Sequence, residues 1–135
     1  MKESIGLESS FLASRSEASA KVDFSGCWKN QRGSSIELDV DDRGRVSGTF
    51  RTAVGAPSPE ESFPLCGIAQ GDLIAFSVGF AVHESVTAWA GQHTIVGGCE
   101  RIETLWHLAR NIADEDEDRA LWSAILTGCD SFERR

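Results

Sequence analysis

The chain predicts an all-β fold, an eight-stranded antiparallel up-and-down β-barrel, and three observations carry that prediction. Short apolar/polar alternations of period two recur from Phe24 onward. Turn formers punctuate them at near-even intervals, as in Asp41-Asp42-Arg43-Gly44, Gln70-Gly71-Asp72 and Val96-Gly97-Gly98-Cys99. A meander of this kind leaves two bare edges unless it closes on itself, and closure removes both.

The elements follow in order. Residues 26–34 read as one extended strand that places Trp28, Asn30, Arg32 and Ser34 on a single face. Ile36, Leu38 and Val40 alternate with Ser35, Glu37 and Asp39 in the second strand, and residues 46–54 return as the third. Gly55-Ala56-Pro57-Ser58-Pro59 cannot continue a ladder, because its prolines lack the amide donor, so it reads as a loop. Strands over 62–69 and 73–80 flank Gln70-Gly71-Asp72, and strands over 84–94 and 101–109 flank the Gly97-Gly98 turn. An acidic loop over 111–118 precedes the last strand, 121–132, with a helical turn expected near 114–121 because carboxylates favour a helix start.

Parity collects a mixed surface. The inward set comprises Trp28, Asn30, Ser34, Ile36, Leu38, Val46, Phe50, Thr52 and Val54 from the first three strands. Phe76, Val78 and Phe80 join it from the fifth, Thr87 and Trp89 from the sixth, and Thr104, Trp106 and Leu108 from the seventh. Leu126, Gly128, Asp130 and Phe132 complete it from the eighth. Aromatic walls with isolated hydroxyl, amide and carboxylate groups suit a barrel interior that holds one small polar ligand.

Bulk properties set limits. The 135 residues suit one domain, with a polar leader over 1–23, a barrel over 24–132 and a tail over 133–135. A formal net charge of −8 argues against nucleic acid, which needs clustered Lys and Arg. No apolar run approaches a membrane span, and the leader lacks the apolar centre of a secretory signal. Cys27, Cys66, Cys99 and Cys129 lie roughly 30 to 40 residues apart without a CxxC or zinc spacing, so no metal site is expected. Cys27, Cys66 and Cys129 have outward parity, either to meet across subunits or to serve as small, partly buried thiols. His83, His93 and His107 show no ligand spacing and read as surface or interface residues.

Five segments then resemble the avidin/streptavidin family, in the right order and with the right parity. They are Trp28-Lys-Asn30-Gln-Arg-Gly33-Ser34, Val46-Ser-Gly48-Thr-Phe50-Arg-Thr52-Ala-Val54-Gly55 and Thr87-Ala-Trp89-Ala-Gly91-Gln92. Thr104-Leu-Trp106-His-Leu108 and Trp122-Ser-Ala-Ile-Leu126-Thr-Gly128-Cys-Asp130-Ser-Phe132 complete the set. The resemblance implies non-catalytic, high-affinity binding of biotin inside the barrel, without a cofactor. It matches Asn30, Ser34 and Phe50 to the groups around the ureido oxygen, and Thr52 and Asp130 to the acceptors of the ureido N–H groups. Thr87 matches the hydroxyl beside the ring sulfur, and Phe80, Trp89 and Trp106 match the aromatic walls, with Val54 and Leu108 in the lining. Ala56 and Ser85 match the carboxylate end. Trp122 matches a tryptophan lent by a neighbouring subunit, or else packs on its own barrel. The family habit implies a homo-oligomer, a tetramer ahead of a dimer, and a secreted or periplasmic home.

The chemistry agrees with the resemblance. A cyclic urea offers one strong acceptor and two donors; Asn30 and Ser34 can donate, whereas ionised Asp130 can only accept. Departures at three positions reduce the affinity expected. Phe50 lacks a hydroxyl toward the ureido oxygen, and Phe80 is smaller than the family's wall tryptophan. Arg32 occupies an inward position, from which it either pairs with the acidic loop at 114–118 or reaches a ligand carboxylate. Two other readings compete: a lipocalin-like carrier of a different small ligand, and an oligomeric barrel acting through protein–protein contacts. An enzyme does not fit, since neither a GxSxG elbow nor a phosphate loop is present.

Overall fold

Period-two alternation needs a buried side, and a single sheet of this length finds one by curling onto itself. The computed structural model describes residues 22–52 and 62–135. Its strands are β1 (Gly26–Asn30), β2 (Ser35–Val40), β3 (Arg45–Arg51), β4 (Ser62–Gln70), β5 (Leu73–Phe80), β6 (Ser85–Val96), β7 (Cys99–Arg110) and β8 (Ile125–Arg134). Each pairs antiparallel with the next, and β8 returns to β1 through Trp28↔Arg134, Lys29↔Glu133 and Asn30↔Phe132, closing the barrel. The eight-stranded antiparallel barrel is therefore as expected.

Register explains how the interior is filled. One row runs across four strands as Phe76↔Trp89↔Trp106↔Gly128, another as Leu38↔Gly48↔Leu65↔Val78↔Thr87. Large residues sit beside small ones, which is how a narrow cylinder accommodates rings. Gly128 shows why: a Cβ there would lie 2.3 Å from Trp106 Cζ2, so only glycine lets the indole lie against the wall. Trp28, Ile36, Leu38, Phe50, Phe63, Phe76, Val78, Trp89, Ile102 and Phe132 form a continuous buried cluster.

Several boundaries differ from the sequence reading. β1 stops at Asn30 and a turn carries the chain to β2, so Arg32 is exposed in a loop and has no inward parity. The expected strand over 46–54 ends at Arg51, with Val54 and Ala56 lying outside the described residues, as does the leader up to residue 21. The last strand begins at Ile125 and continues past Phe132 to Arg134; residues 121–124 belong to helical turns instead. Those turns are a 3-10 turn at Asp114–Asp116, a short helix α1 (Glu117–Ala120) and a second 3-10 turn at Trp122–Ala124. The acidic start expected for a helix is thus present. Leu126, expected inward, is 46% exposed because it lies near the end of β8.

Cysteines and histidines also separate. All four cysteines are free and exposed, not partly buried, as the outward parity of Cys27, Cys66 and Cys129 requires. His93 departs from a surface role. Its ring packs edge-on against Phe24 and Trp28, with centroids 6.2 and 6.5 Å away, and its Nε2 meets Glu100 Oε1 at 2.9 Å. Trp28 itself belongs to this end of the barrel rather than to a ligand wall: its Nε1 donates to the Phe24 carbonyl at 2.9 Å, and the Arg134 guanidinium lies 4.2 Å over its ring.

Candidate functional site

The site begins with a tight connection. Asn30 N–H donates to the Ser34 carbonyl at 2.8 Å, Gly33 N–H to the Asn30 carbonyl at 3.1 Å, and Gly33 has φ of 88°. This is a hairpin with a short loop whose last residue is left-handed, a position suited to glycine. Asn30 and Ser34 face each other across it, so both side chains turn inward, and both are buried. The Asn30 side chain then folds back: its Oδ1 accepts from the backbone N–H groups of Arg32 (3.0 Å) and Ser34 (2.9 Å). Two backbone donors fix the amide's orientation, which leaves its NH2 as the group offered to a ligand.

Asp130 lies on β8 and is only 5% exposed. A carboxylate in such a place needs donors, and it has them. Trp89 Nε1 donates to Oδ2 at 2.9 Å and Gln31 Nε2 to Oδ1 at 3.0 Å. Thr104 Oγ1 donates to the Asp130 carbonyl at 2.9 Å, pinning the backbone beneath. Gln31 also accepts from Ser131 N–H at 2.9 Å through its Oε1, so its amide bridges the β1–β2 loop to β8. Each carboxylate oxygen has two lone-pair directions, and the neutral donors use one apiece. Asp130 is thus oriented, desolvated and still able to accept.

The walls are aromatic. Trp89 stacks on Phe76 at 5.1 Å between centroids and tilts against Phe50 at 5.3 Å. Phe50 meets Phe80 edge-on at 5.6 Å, and Phe80 meets Phe63 at 4.7 Å. Such offset and edge contacts suit ring quadrupoles and hold the rings in place. Trp106 is half-buried over Gly128, and its Nε1 is buried with no hydrogen-bond partner. Thr87 is buried on β6, whereas Thr52, Phe80, Ser85 and Leu108 are half-buried.

The structure buries six residues of the sequence-expected set together. Asn30, Ser34, Phe50, Thr87, Trp89 and Asp130 are all buried in one barrel. Arg32 is the correction. Its side chain is 53% exposed and pairs not with the acidic loop but with the buried Asp130, Nε lying 3.9 Å from Oδ1. Its guanidinium also covers the Trp106 ring at 5.6 Å. Trp122 is 83% exposed. It does not pack on its own barrel. Two partners escaped the sequence reading. Gln31 was hidden by its outward parity in a supposed strand, although Gln-Arg-Gly is itself a turn signal. Thr104 was placed inward but not assigned to the site.

On the outside of the barrel, a groove of about 790 Å³ runs over β4 to β8, lined by Ile68, Leu73, Ala90, Leu105 and Cys129 among others. It lies on the far side of the wall from Asp130. No group of His, Cys, Asp and Glu among the described residues could hold a metal ion.

Comparison with known proteins agrees with this geometry. Avidin from Gallus gallus is 32% identical over 123 residues, covering 84% of this chain and 79% of that protein. The structure of a rhizavidin–biotin complex superposes with a TM-score of 0.69 at 30% identity, covering 84% of this chain and 97% of the other. The crystal structure of Xenavidin gives a TM-score of 0.74 at 28% identity, over 85% of this chain and 99% of that one. The family model described as the Avidin family matches residues 18–135, and the chain belongs to that family.

Proposed function

We propose that this barrel binds biotin in its interior, without catalysis, and that the bound ring lies between Asn30 and Ser34 on one side and Asp130 on the other. The observation that carries the reading is the buried Asp130 carboxylate, held by two neutral donors and facing an aromatic lumen. A cyclic urea complements such a site: its N–H groups can donate to Asp130 and Thr52, and its oxygen can accept from the Asn30 amide and the Ser34 hydroxyl. Charge-assisted hydrogen bonds in a dry site are roughly twice as strong as neutral ones. Thr87 suits the ring sulfur, Phe80, Trp89, Trp106 and Leu108 suit the bicyclic ring and chain, and Ser85 suits the carboxylate; Val54 in the lining and Ala56 at the carboxylate are assigned by the family resemblance alone.

Phe50 tempers the affinity. It is buried between Trp89 and Phe80 as a pure aromatic spacer, so the ureido oxygen gains no phenol donor there. Binding weaker than in the tightest family members follows from that missing bond, whose worth is about 1–3 kcal/mol.

The reading includes assembly and export. Trp122 at 83% exposure, with Leu121 and Ile125 beside it, supports a role against a second copy rather than its own pocket. Exposed Ile68, Leu73 and Leu105 on the outer groove support the same conclusion. Isothermal titration with biotin tests the central statement: saturable heat and a raised melting temperature are expected, and the absence of both would overturn it. Sedimentation of the same sample should give a dimer or tetramer; a monomer at micromolar concentration would remove the assembly.

A further inference from the structure

We infer that Arg32 acts as a charge filter beside Asp130, shifting the site's preference toward neutral over cationic ring ligands. The inference rests on the biotin reading above and concerns which chemical class that site accepts. Arg32 occupies the 31–33 loop, whose shape is fixed by its own backbone N–H on Asn30 Oδ1 at 3.0 Å. From there the half-exposed side chain reaches toward Asp130 and Trp106. Its Nε comes to 3.9 Å from Asp130 Oδ1 and its guanidinium lies 5.6 Å over the Trp106 ring, so it spans the carboxylate and one aromatic wall. Both contacts hold a cation in place, one through charge and one through the ring quadrupole.

The electrostatic consequence is simple. Asp130 alone would make this end of the cavity net negative and would reward a cationic ligand. Its other partners, Gln31 and Trp89, are neutral and cancel nothing. Arg32 is the one basic side chain paired with Asp130 among the described residues. With it the pair is neutral, and hydrogen bonding weighs more than charge in what stays. Because the guanidinium is half-exposed while the carboxylate is buried, water and salt weaken its field without abolishing it.

A pair of ligands that differ only in ring charge isolates the effect. Biotin carries a neutral urea; 2-iminobiotin replaces the carbonyl oxygen with a nitrogen and is a cyclic guanidinium at neutral pH. Whatever that swap costs at Asn30 and Ser34 is common to wild type and variants, so it cancels in a ratio of affinities. The Kd of both ligands is measured at neutral pH for wild type, Arg32→Leu and Arg32→Lys, each checked for an unchanged melting temperature. Arg32→Leu is expected to shift the ratio toward the cationic analogue by about tenfold, a screened charge–charge interaction at this range. Arg32→Lys should restore the wild-type ratio, and the shift should shrink as salt rises. Biotin binding with a ratio that moves less than twofold in Arg32→Leu would overturn the filter and leave the biotin reading intact. A shift of similar size in Arg32→Lys would also overturn it, since a lost shape rather than a lost charge would then be responsible. Absence of biotin binding to the wild-type protein would overturn both.

Discussion

The two ends of this barrel are built from the same materials and used differently. At the end where the chain enters and leaves, Trp28 is fully buried, its N–H donates to the Phe24 carbonyl, and Arg134 covers its ring. Arg134 also donates to the Ser25 carbonyl at 3.0 Å and to Glu100 Oε2 at 2.6 Å. At the other end Trp106 likewise has an arginine over its ring, but its N–H is buried without a partner and its arginine is half-exposed. An unmet buried donor costs about 1–3 kcal/mol. Among the described residues, the first end leaves no buried side-chain polar atom without a partner, and the other leaves Trp106 Nε1 unmet. The difference separates a plug that stabilises the barrel from an opening that can gain by taking a ligand.

Removing the plug is the largest way to break that contrast. Trp28→Ala deletes a fully buried indole together with the ring that Arg134 and His93 pack against. A loss of about 3–5 kcal/mol in unfolding free energy is expected from denaturant titration. Where the folded fraction can still be loaded, its biotin affinity should change far less than its stability. An equal loss of both would mean that the ends are not independent.

The complementary change acts at the opening. Asp130→Ala removes the charged acceptor and leaves Trp89 Nε1 and Gln31 Nε2 without their partner. Biotin affinity is expected to fall by roughly a hundredfold, the worth of one buried hydrogen bond to a charge, about 1.5–3 kcal/mol. Titration calorimetry gives the number directly, and circular dichroism should show an intact barrel. Phe50→Tyr should move in the opposite direction, tightening biotin by up to roughly a hundredfold if the added hydroxyl reaches the ureido oxygen. No gain would assign the wall, rather than the missing donor, as what limits affinity.

Legibility from sequence divides along the same line between strand and loop. Within strands, period two placed Trp89, Thr104, Phe50 and Asp130 inward, because a ladder leaves a side chain only two directions. Asn30 and Ser34 were placed correctly although a loop lies between them: three residues intervene, and a hairpin closing across that number sets its flanking pair on the same face. Arg32 failed for the complementary reason. It sits in the middle of that loop, where parity has no meaning. Gln31 could not be read, since its partners Asp130 and Ser131 lie about a hundred residues away and meet it only through barrel closure. His93 was legible and was passed over; it shares odd parity on β6 with Thr87 and Trp89, which points it inward at the plugged end.

The smallest expected effect sharpens the comparison through pH. Glu100 stands at the plugged end, and its carboxyl is held below the ordinary value of 4.5, first by the hydrogen bond from Arg134 and then by that from His93. A carboxylate whose folded value is depressed contributes stability that is fully present above its unfolded value and disappears as pH falls through the folded one. The plug should therefore loosen below about pH 4.5, with Arg134 losing its charged partner while its backbone contacts persist. Glu100 is 39% exposed, so solvent screening keeps the contribution small. Melting temperatures of wild type and Glu100→Gln, followed from neutral to acid, should differ modestly at neutral pH and converge in acid. Asp41 provides an internal reference at the same end, since its carboxyl is also lowered, by the backbone N–H of Arg45 first, but its partners Arg43 and Arg45 belong to its own turn and do not clamp the buried ring. Asp41→Asn should leave the acid limb nearly unchanged, whereas parallel curves for Glu100→Gln and wild type at every pH would show that the Arg134 clamp draws its strength from its carbonyl and ring contacts rather than from the ion pair.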